Sequence, residues 1–165
     1  MPNAEGVRPT SDRAKEGLFS ALQSRISFAG IRVLDLFAGS GNLGFEALSR
    51  GAQSVTFVEY NKVCVEQIRE LAETFDLAEQ VQVYEYDVAR FLDSFSNTYD
   101  LIFADPPYEL EYMQQFPDQV LAADWLSEDG IFLLEHDKNN DFSEHPHCVF
   151  SKAYGRTTVS IFRKQ

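Results

Sequence analysis

Short apolar runs alternate with segments of helical periodicity along most of the chain, and this alternation constrains the fold more than any other feature. Apolar runs that predict strands lie at 31–37, 54–59, 80–86, 99–104 and 130–135. Helical spacing of apolar residues predicts helices at 12–26, 43–50, 61–76, 88–95 and 110–123. Strands separated by single helices form βαβ units, which build a mostly parallel sheet covered on both faces. We therefore predict a doubly wound α/β fold.

Two further strand-like segments follow. Residues 148–151 and 157–162 are separated by Tyr154-Gly155, which predicts a turn. We expect them to pair as an antiparallel hairpin at the sheet edge, which makes seven strands in all. A length of 165 residues with 44% hydrophobic residues suits one domain, 1–165, with a sizeable core. In such sheets ligands bind beyond the carboxyl ends of the strands, so functional residues are expected there.

Several side chains are expected in the core. On the helix predicted at 61–76, the inward residues are expected to be Val63, Ile68, Leu71 and Phe75. A second aromatic set is also interpreted as core and not as a base-stacking platform: Phe91, Phe95, Tyr99 and Phe103. Both interpretations rest on apolar spacing alone.

A glycine-rich loop follows the first predicted strand. Residues Gly39 to Gly44 match G-x-G-x-x-G, in which glycines allow a tight turn and close approach of a ligand to the backbone. Taken literally, this pattern fits a dinucleotide cofactor, and glycine turns between strand and helix are also common without any ligand. The glycines alone therefore leave the ligand open.

Acidic residues at three successive strand ends narrow the choice of ligand for the glycine-rich loop. Asp35, four residues before Gly39, would repel a pyrophosphate and favours a ligand with positive charge, such as the sulfonium and ammonium of S-adenosylmethionine. Glu59 can accept hydrogen bonds from ribose hydroxyls. Asp87 can accept from an adenine amino group, with the Val88 N–H beside it as a donor, although it could equally be a helix N-cap. The predicted cofactor is S-adenosyl-L-methionine, and its predicted contacts here are Asp35, Phe37, Ala38, Gly39, Ser40, Gly41, Glu59, Tyr60, Asp87 and Val88.

The fourth predicted strand ends in Asp105-Pro106-Pro107-Tyr108. Two prolines could simply terminate the strand, but that leaves the flanking Asp and Tyr unexplained. An exocyclic amino group on a base is a poor nucleophile because its lone pair is delocalised. Asp105 and the Pro106 carbonyl can accept its two N–H groups, and Tyr108 can stack on a base taken out of its helix. Methyl transfer would then need positioning, with no metal and no covalent nucleophile.

The motifs described so far, together with the N-terminal segment, resemble those of known proteins. Asp35–Gly41 with Asp105–Tyr108 is similar to the class I, Rossmann-like S-adenosylmethionine-dependent amino-methyltransferases with a D-P-P-Y motif. Val7–Phe19 resembles the R-P-T-x-D-R-x-(K/R)-E-x-L-F opening of the bacterial family that methylates guanine N2 in 16S ribosomal RNA, and the match runs from about Arg8 to the end. The resemblance implies that Asp105, Pro106, Pro107 and Tyr108 hold the guanine. It also implies that Thr10, Arg13 and Glu16 lie near the cofactor, although Arg13 and Glu16 could instead be a solvated ion pair.

Three alternatives remain beside this interpretation. A DNA adenine-N6 or cytosine-N4 methyltransferase shares the logic of Asp105–Tyr108 but usually carries an added target-recognition region. A nicotinamide-dependent oxidoreductase would explain the glycines and leave Asp35 and Asp105–Tyr108 unexplained. A cofactor-binding subunit without catalytic activity would not need Asp105 and Tyr108.

The charge distribution bears on the partner. The net charge is −12, whereas proteins that bind nucleic-acid phosphates are usually basic. Residues 33–149 hold 23 acidic against five basic residues, and residues 150–165 hold four basic and no acidic residues. We therefore expect the protein to bind ribosomal RNA as part of an assembled or assembling small ribosomal subunit. Ribosomal proteins would then supply part of the docking surface. Phosphate contacts are expected only near the ends, through Arg8, Arg13, Lys152, Arg156, Arg163 and Lys164.

The remaining features predict a cytoplasmic protein without a metal. No apolar run approaches the length of a membrane span, and the N-terminus lacks the features of a signal peptide. Cys64 and Cys148 are expected to be buried, reduced thiols. The segment His145–Cys148 lacks the spacing of a zinc site. His136 could touch substrate, and a hydrogen-bonded structural role is favoured.

Overall fold

Seven strands and five helices make up the part of the chain that the computed structural model describes, residues 12–122 and 124–164. The strands are β1 (Arg32–Leu36), β2 (Ser54–Glu59), β3 (Val81–Glu85), β4 (Tyr99–Ala104), β5 (Leu126–His136), β6 (Cys148–Tyr154) and β7 (Thr157–Phe162). The helices are α1 (Asp12–Gln23), α2 (Asn42–Ser49), α3 (Lys62–Thr74), α4 (Val88–Ser94) and α5 (Phe116–Ala122), with a short 3-10 helix at Ala78–Gln80.

The strands form one sheet in the order β3-β2-β1-β4-β5-β7-β6. The pairs from β3 to β5 are all parallel, and β7 is antiparallel to both β5 and β6. The prediction of a doubly wound, mostly parallel sheet with an antiparallel hairpin at its edge is confirmed. Strand order reverses between β1 and β4, and the crevice at such a reversal is where ligands bind in open α/β sheets.

Each face of the sheet has its own apolar core, because successive strand residues point to opposite sides. Val33 belongs to the core that α1, α2 and α3 cover, and Leu34 belongs to the core that includes α4 and α5. The largest buried rings of the first core are Phe19, Phe57 and Phe103. Those of the second include Phe91, Phe116, Trp125 and Phe132. The rigid sheet between the two cores holds the strand ends in place.

The inward face of α3 differs from the prediction. Ile68 is buried as expected, but Val63 and Phe75 are 56% and 64% exposed, and Leu71 is 38% exposed. The buried residues are instead Cys64, Val65, Ile68 and Ala72. Positions 64, 68 and 72 are one helical turn apart and so share a face, from which 63, 71 and 75 are rotated. The small side chains at 64 and 72 allow α3 to lie close to the sheet.

The helix predicted at 110–123 begins only at Phe116, so the prediction was wrong for the first half of that range. Pro117 has no backbone N–H and its ring would clash with the carbonyl one turn earlier, so it is tolerated only in the first turn. The preceding residues form turns, in which Leu110 donates to the Pro107 carbonyl at 3.1 Å and Met113 to the Leu110 carbonyl at 3.2 Å.

Strand β5 is longer than predicted because it begins at Leu126. Leu126 pairs with Tyr99 and Ile131 with Leu101, so the register shifts between these pairs. The other predicted boundaries differ from the structure by three residues or fewer.

Two smaller expectations need correction. Phe91, Tyr99 and Phe103 are buried as predicted, but Phe95 follows the last turn of α4 and is 36% exposed. Cys64 is buried and Cys148 only half-buried, and both are free thiols.

Within residues 12–122 and 124–164, no helix combines the length and apolar character that a membrane crossing requires.

Candidate functional site

The carboxyl ends of four adjacent parallel strands carry most of the predicted site residues. Asp35 and the glycine loop end β1, Glu59 and Tyr60 end β2, Asp87 and Val88 follow β3, and residues 105–108 follow β4. Because these strands are neighbours in the sheet, the structure brings the four groups to one edge. Thr10 lies outside the described residues. Arg13 lies in the first turn of α1 and lines a different cavity, with Lys152, Ala153, Tyr154 and Gly155.

Asp35 connects the end of β1 to the first turn of α2. Its side chain is only 2% exposed, and Oδ2 accepts a hydrogen bond from the Gly44 N–H at 3.0 Å. Burial raises the pKa of the Asp35 carboxyl well above its ordinary value, and the Gly44 hydrogen bond opposes this. The neighbouring carboxylates of Asp105 and Glu59 raise the pKa further. A cation bound here would relieve that repulsion, which is compatible with the predicted preference for a positively charged ligand.

The glycines of the loop have different structural tasks. Gly39 has φ 59°, and a Cβ added there would meet nothing within 4 Å, so this backbone faces open space. At Gly44, by contrast, an added Cβ would lie 2.7 Å from Phe57 Cζ and 2.8 Å from Val55 Cγ1. Gly39 is therefore the position at which a ligand can approach the backbone, whereas Gly44 allows α2 to pack closely against β2.

The other loop residues are held mainly by backbone contacts. Ala38 donates its N–H to the Val58 carbonyl at 3.1 Å, and Gly41 donates to the Ala38 carbonyl at 2.9 Å. Phe37 has φ 56°, an uncommon backbone conformation for a residue with a side chain. Its ring packs edge-on against Phe116, with 5.8 Å between ring centroids, so its side chain belongs partly to the core. Ser40 is exposed.

Glu59 joins the glycine loop to the start of α3. Its Oε1 accepts from the Gly39 N–H at 2.8 Å and its Oε2 from the Asn61 N–H at 2.8 Å. Asn61 in turn caps α3, because its Oδ1 accepts from the N–H groups of Val63 and Cys64. Each carboxylate oxygen has a second lone pair, so ribose hydroxyls can still donate to Glu59. Its two backbone bonds were not foreseen from the sequence.

Asp87 is the N-cap of α4, as the structural alternative proposed, since its Oδ2 accepts from the Arg90 N–H at 3.1 Å. Capping leaves acceptor capacity on the carboxylate, so this finding is compatible with an adenine contact. A cavity of about 300 Å³ lies beside it, lined by Tyr60, Glu85, Tyr86, Asp87, Arg90 and Ser94. Tyr86 and Arg90 were not singled out in the sequence, although an aromatic residue directly before Asp87 was an available signal.

The loop after β4 is anchored at both ends. Asp105 donates its N–H to the Leu36 carbonyl at 3.4 Å, which continues the pairing of β4 with β1. Pro106 is buried and Pro107 is exposed. The Tyr108 hydroxyl lies 3.2 Å from Thr157 Oγ1 and 3.4 Å from the Arg156 carbonyl oxygen. The turn between β6 and β7 therefore fixes the orientation of the Tyr108 ring, a contact that the sequence did not reveal.

Buried polar residues at the end of β5 lie beside this loop, because Ala104 pairs with Leu134. His136 is 1% exposed, with Nδ1 2.8 Å from the Asp137 carbonyl oxygen and Nε2 2.8 Å from Ser160 Oγ. Burial lowers the pKa of its imidazole, which agrees with a neutral, structural, hydrogen-bonded role. Glu135 is completely buried and was not singled out as a candidate site residue from the sequence. A charged residue that directly follows the apolar run 131–134 was the signal that could have identified it.

Two other sequence features also have defined surroundings. Lys15 of α1 donates to Asn42 Oδ1 at 2.8 Å and lies 3.2 Å from Glu46 Oε1, so the opening motif contacts the helix that follows the glycine loop. His145 Nε2 lies 2.7 Å from Asp118 Oδ1. The described part of the chain contains no group of three or more His, Cys, Asp or Glu side chains arranged to hold a metal ion.

Comparison with known proteins gives consistent matches. The profile of a family described as conserved hypothetical protein 95 matches residues 1–163. The Bacillus subtilis (strain 168) protein YlbH, provisionally named as an rRNA methyltransferase, is 34% identical over 165 residues, covering 96% of this chain and 89% of that protein. Ribosomal RNA small subunit methyltransferase D of Haemophilus influenzae is 38% identical over 140 residues, covering 83% and 72%.

Solved structures agree with these relatives. The Haemophilus influenzae protein HI0767, provisionally described as a methylase, superposes with a TM-score of 0.78 at 32% identity, covering 94% of this chain and 99% of that chain. The Escherichia coli protein yhhF, provisionally described as a methyltransferase, gives a TM-score of 0.85 at 26% identity, covering 100% and 92%.

Proposed function

The chain belongs to the family described as conserved hypothetical protein 95, and from this premise we propose that it methylates the exocyclic N2 of a guanine in small-subunit ribosomal RNA, with S-adenosyl-L-methionine as the methyl donor. The seven-stranded sheet is the class I methyltransferase fold. The relatives named ribosomal RNA small subunit methyltransferase D support RNA as the substrate class over DNA.

One observation carries the proposal. The glycine loop with its buried acid and the loop Asp105–Tyr108 follow adjacent strands, since Leu36 of β1 pairs with Ala104 of β4. Adjacent strands lie about 4.8 Å apart, so a methyl donor on the first loop and an amino group on the second can meet without a large movement of the chain. A nicotinamide oxidoreductase would require neither Asp105–Tyr108 nor a buried carboxylate such as Asp35 beside the glycines.

The residues proposed to bind the cofactor follow or end β1, β2 and β3, at the same edge of the sheet as Gly39. Asp35 provides negative charge for a cationic ligand, Glu59 can accept from ribose hydroxyls, and Asp87 can accept from an adenine amino group. The backbone at Gly39 leaves room for the ligand because a Cβ there would meet no atom within 4 Å. The bound cofactor would supply an electrophilic methyl group on a sulfonium.

The loop after β4 would activate the acceptor. Asp105 and the Pro106 carbonyl would accept the two N–H groups of the guanine amine, which favours a pyramidal nitrogen whose lone pair points at the methyl carbon. The Tyr108 ring, held by Thr157 and Arg156, would stack on the base. The cofactor would give up its methyl group and leave as a neutral thioether, and the amino nitrogen that gains the methyl group would lose one proton to the Asp105 carboxylate that accepts its N–H. Positioning provides most of the rate enhancement.

Nucleoside mass spectrometry tests this proposal. 16S ribosomal RNA from a strain that lacks the protein should lose one N2-methylguanosine, and a plasmid copy of the wild-type gene should restore it. A plasmid copy with Asp105→Ala should not restore it. An unchanged N2-methylguanosine content, with loss of a different methylated nucleoside, would show that the target chemistry is wrong.

A further inference from the structure

The edge of the molecule beside the Asp105–Tyr108 loop carries a basic groove that the proposed chemistry does not use. The groove has a volume of about 270 Å³ and is lined by Arg13 of α1 together with Lys152, Ala153, Tyr154 and Gly155 of the β6–β7 turn. We propose that this groove binds a backbone phosphate of the RNA strand next to the target nucleotide; the inference rests on the proposed function.

The charge pattern supports an anionic occupant. Residues 33–149 are strongly acidic, whereas residues 150–165 contain four basic and no acidic residues. Lys152 and Arg156 are exposed and stand on either side of the turn at Gly155. The first turn of α1 carries Asp12 beside Arg13, so the hairpin provides most of the positive charge. In a molecule of net charge −12, this hairpin is the surface at which an RNA phosphate can contact positively charged side chains.

The two walls of the groove pack against each other. Tyr154 packs directly over Gly17, where an added Cβ would lie 2.6 Å from its Cζ, so α1 and the hairpin approach without an intervening side chain. The Lys152 Nζ lies 5.3 Å from the centre of the Tyr154 ring, a cation–π contact that orients the ammonium. Side chains that such contacts already hold lose less conformational entropy when the groove binds its ligand.

The same turn contacts the loop that is proposed to hold the base. The Tyr108 hydroxyl lies 3.2 Å from Thr157 Oγ1 and 3.4 Å from the Arg156 carbonyl oxygen. A strand whose base stacks on Tyr108 lies next to this turn, so a phosphate beside that base comes close to the groove. Phosphate contacts position a nucleic acid and carry no sequence information, so the groove should affect affinity and leave specificity unchanged.

Lys152→Gln in the groove lining is combined with Arg156→Gln on the other side of Gly155. Arg156 contacts Tyr108 only through its backbone carbonyl, which glutamine keeps, so the contact proposed to hold the base stays intact. Arg69→Gln on the exposed side of α3 is the control. The substrate is small subunits reconstituted from unmodified 16S transcript and ribosomal proteins, with tritiated S-adenosylmethionine. The double variant should raise KM for the particle about three- to tenfold at ~150 mM salt, with kcat and cofactor affinity unchanged. The slope of log affinity against log salt should become shallower by roughly 0.7–0.9 for each phosphate that the variant no longer neutralises.

Binding of fluorescent 16S RNA fragments, measured by anisotropy, separates this inference from the proposed function. Weaker, less salt-dependent binding by the double variant than by Arg69→Gln supports the groove even if methyl transfer fails. A wild type that methylates while the double variant keeps the wild-type KM and salt slope would overturn it. A fall in kcat at unchanged KM would also overturn it, because the turn would then act only through Tyr108.

Discussion

Gly39 and Gly44, at the two ends of the G-x-G-x-x-G segment, should lose different properties when each is replaced by alanine. Gly44→Ala should lose stability, and Gly39→Ala should lose cofactor binding. In Gly44→Ala the new Cβ would lie 2.7 Å from Phe57 Cζ and 2.8 Å from Val55 Cγ1, well inside the usual carbon–carbon contact of about 3.5–4.0 Å. Phe57 is completely buried, and its ring lies 5.0 Å from that of Phe45, so it has little room to move.

The expected cost of Gly44→Ala follows from these distances. Overpacking in a dense core costs about 1–3 kcal/mol, and such close approach to buried atoms places this site near the upper value. Replacement of glycine by alanine in a helix returns about 1 kcal/mol. The net loss in free energy of unfolding should be about 2 kcal/mol, which lowers the Tm of a chain of this length by about 4–8 °C.

Gly39→Ala should lose cofactor binding instead. Its Cβ would meet no protein atom within 4 Å, so the stability cost is the backbone strain of an alanine at φ 59°, about 1–2 kcal/mol. The methyl group would enter the space where the ligand is proposed to lie, and affinity for S-adenosylmethionine should fall at least tenfold. Urea unfolding and titration calorimetry on both variants measure the two effects. Wild-type stability in Gly44→Ala, or wild-type cofactor affinity in Gly39→Ala, would refute the assignment of that glycine.

Three further predictions concern the charged groups. Asp105→Ala should leave cofactor affinity within a few-fold and lower kcat by about 10²–10³, and a wild-type kcat would mean that Asp105 only ends the strand. Burial raises the pKa of Asp35 above its unfolded value, so the ionised group destabilises the fold increasingly as pH rises above about 4. In urea unfolding, Asp35→Asn should therefore gain stability relative to wild type from pH 4 towards 8 while binding S-adenosylmethionine more weakly; a pH-independent difference would contradict this. Assembled small subunits should be methylated better than protein-free 16S RNA across a salt series, and a preference for the naked RNA with a steep salt slope would show that the RNA-binding surface is misplaced.

The sequence by itself predicted the elements and the strand-end location of the site because both depend on local signals. Period-2 and period-3.6 apolar patterns, glycines after β1 and prolines after β4 act on their own neighbours in the chain. A parallel sheet then brings consecutive carboxyl ends to one edge, so the proximity of Asp35, Glu59 and Asp105 followed from the fold class. The same local logic placed the start of α5 too early, since the helical pattern outweighed the limit that Pro117 sets.

Only the tertiary structure decided which partner each side chain takes. The inward face of α3 depends on how closely Cys64 and Ala72 let the helix approach the sheet. The spacing of apolar residues in the sequence does not contain this information. Gly39 and Gly44 are the same residue type in one motif, and their tasks differ because one faces open space and the other faces Phe57. Tyr108 is oriented by Thr157, 49 residues along the chain. Contacts of this kind arise when distant segments pack together, so they become visible only once the chain has folded.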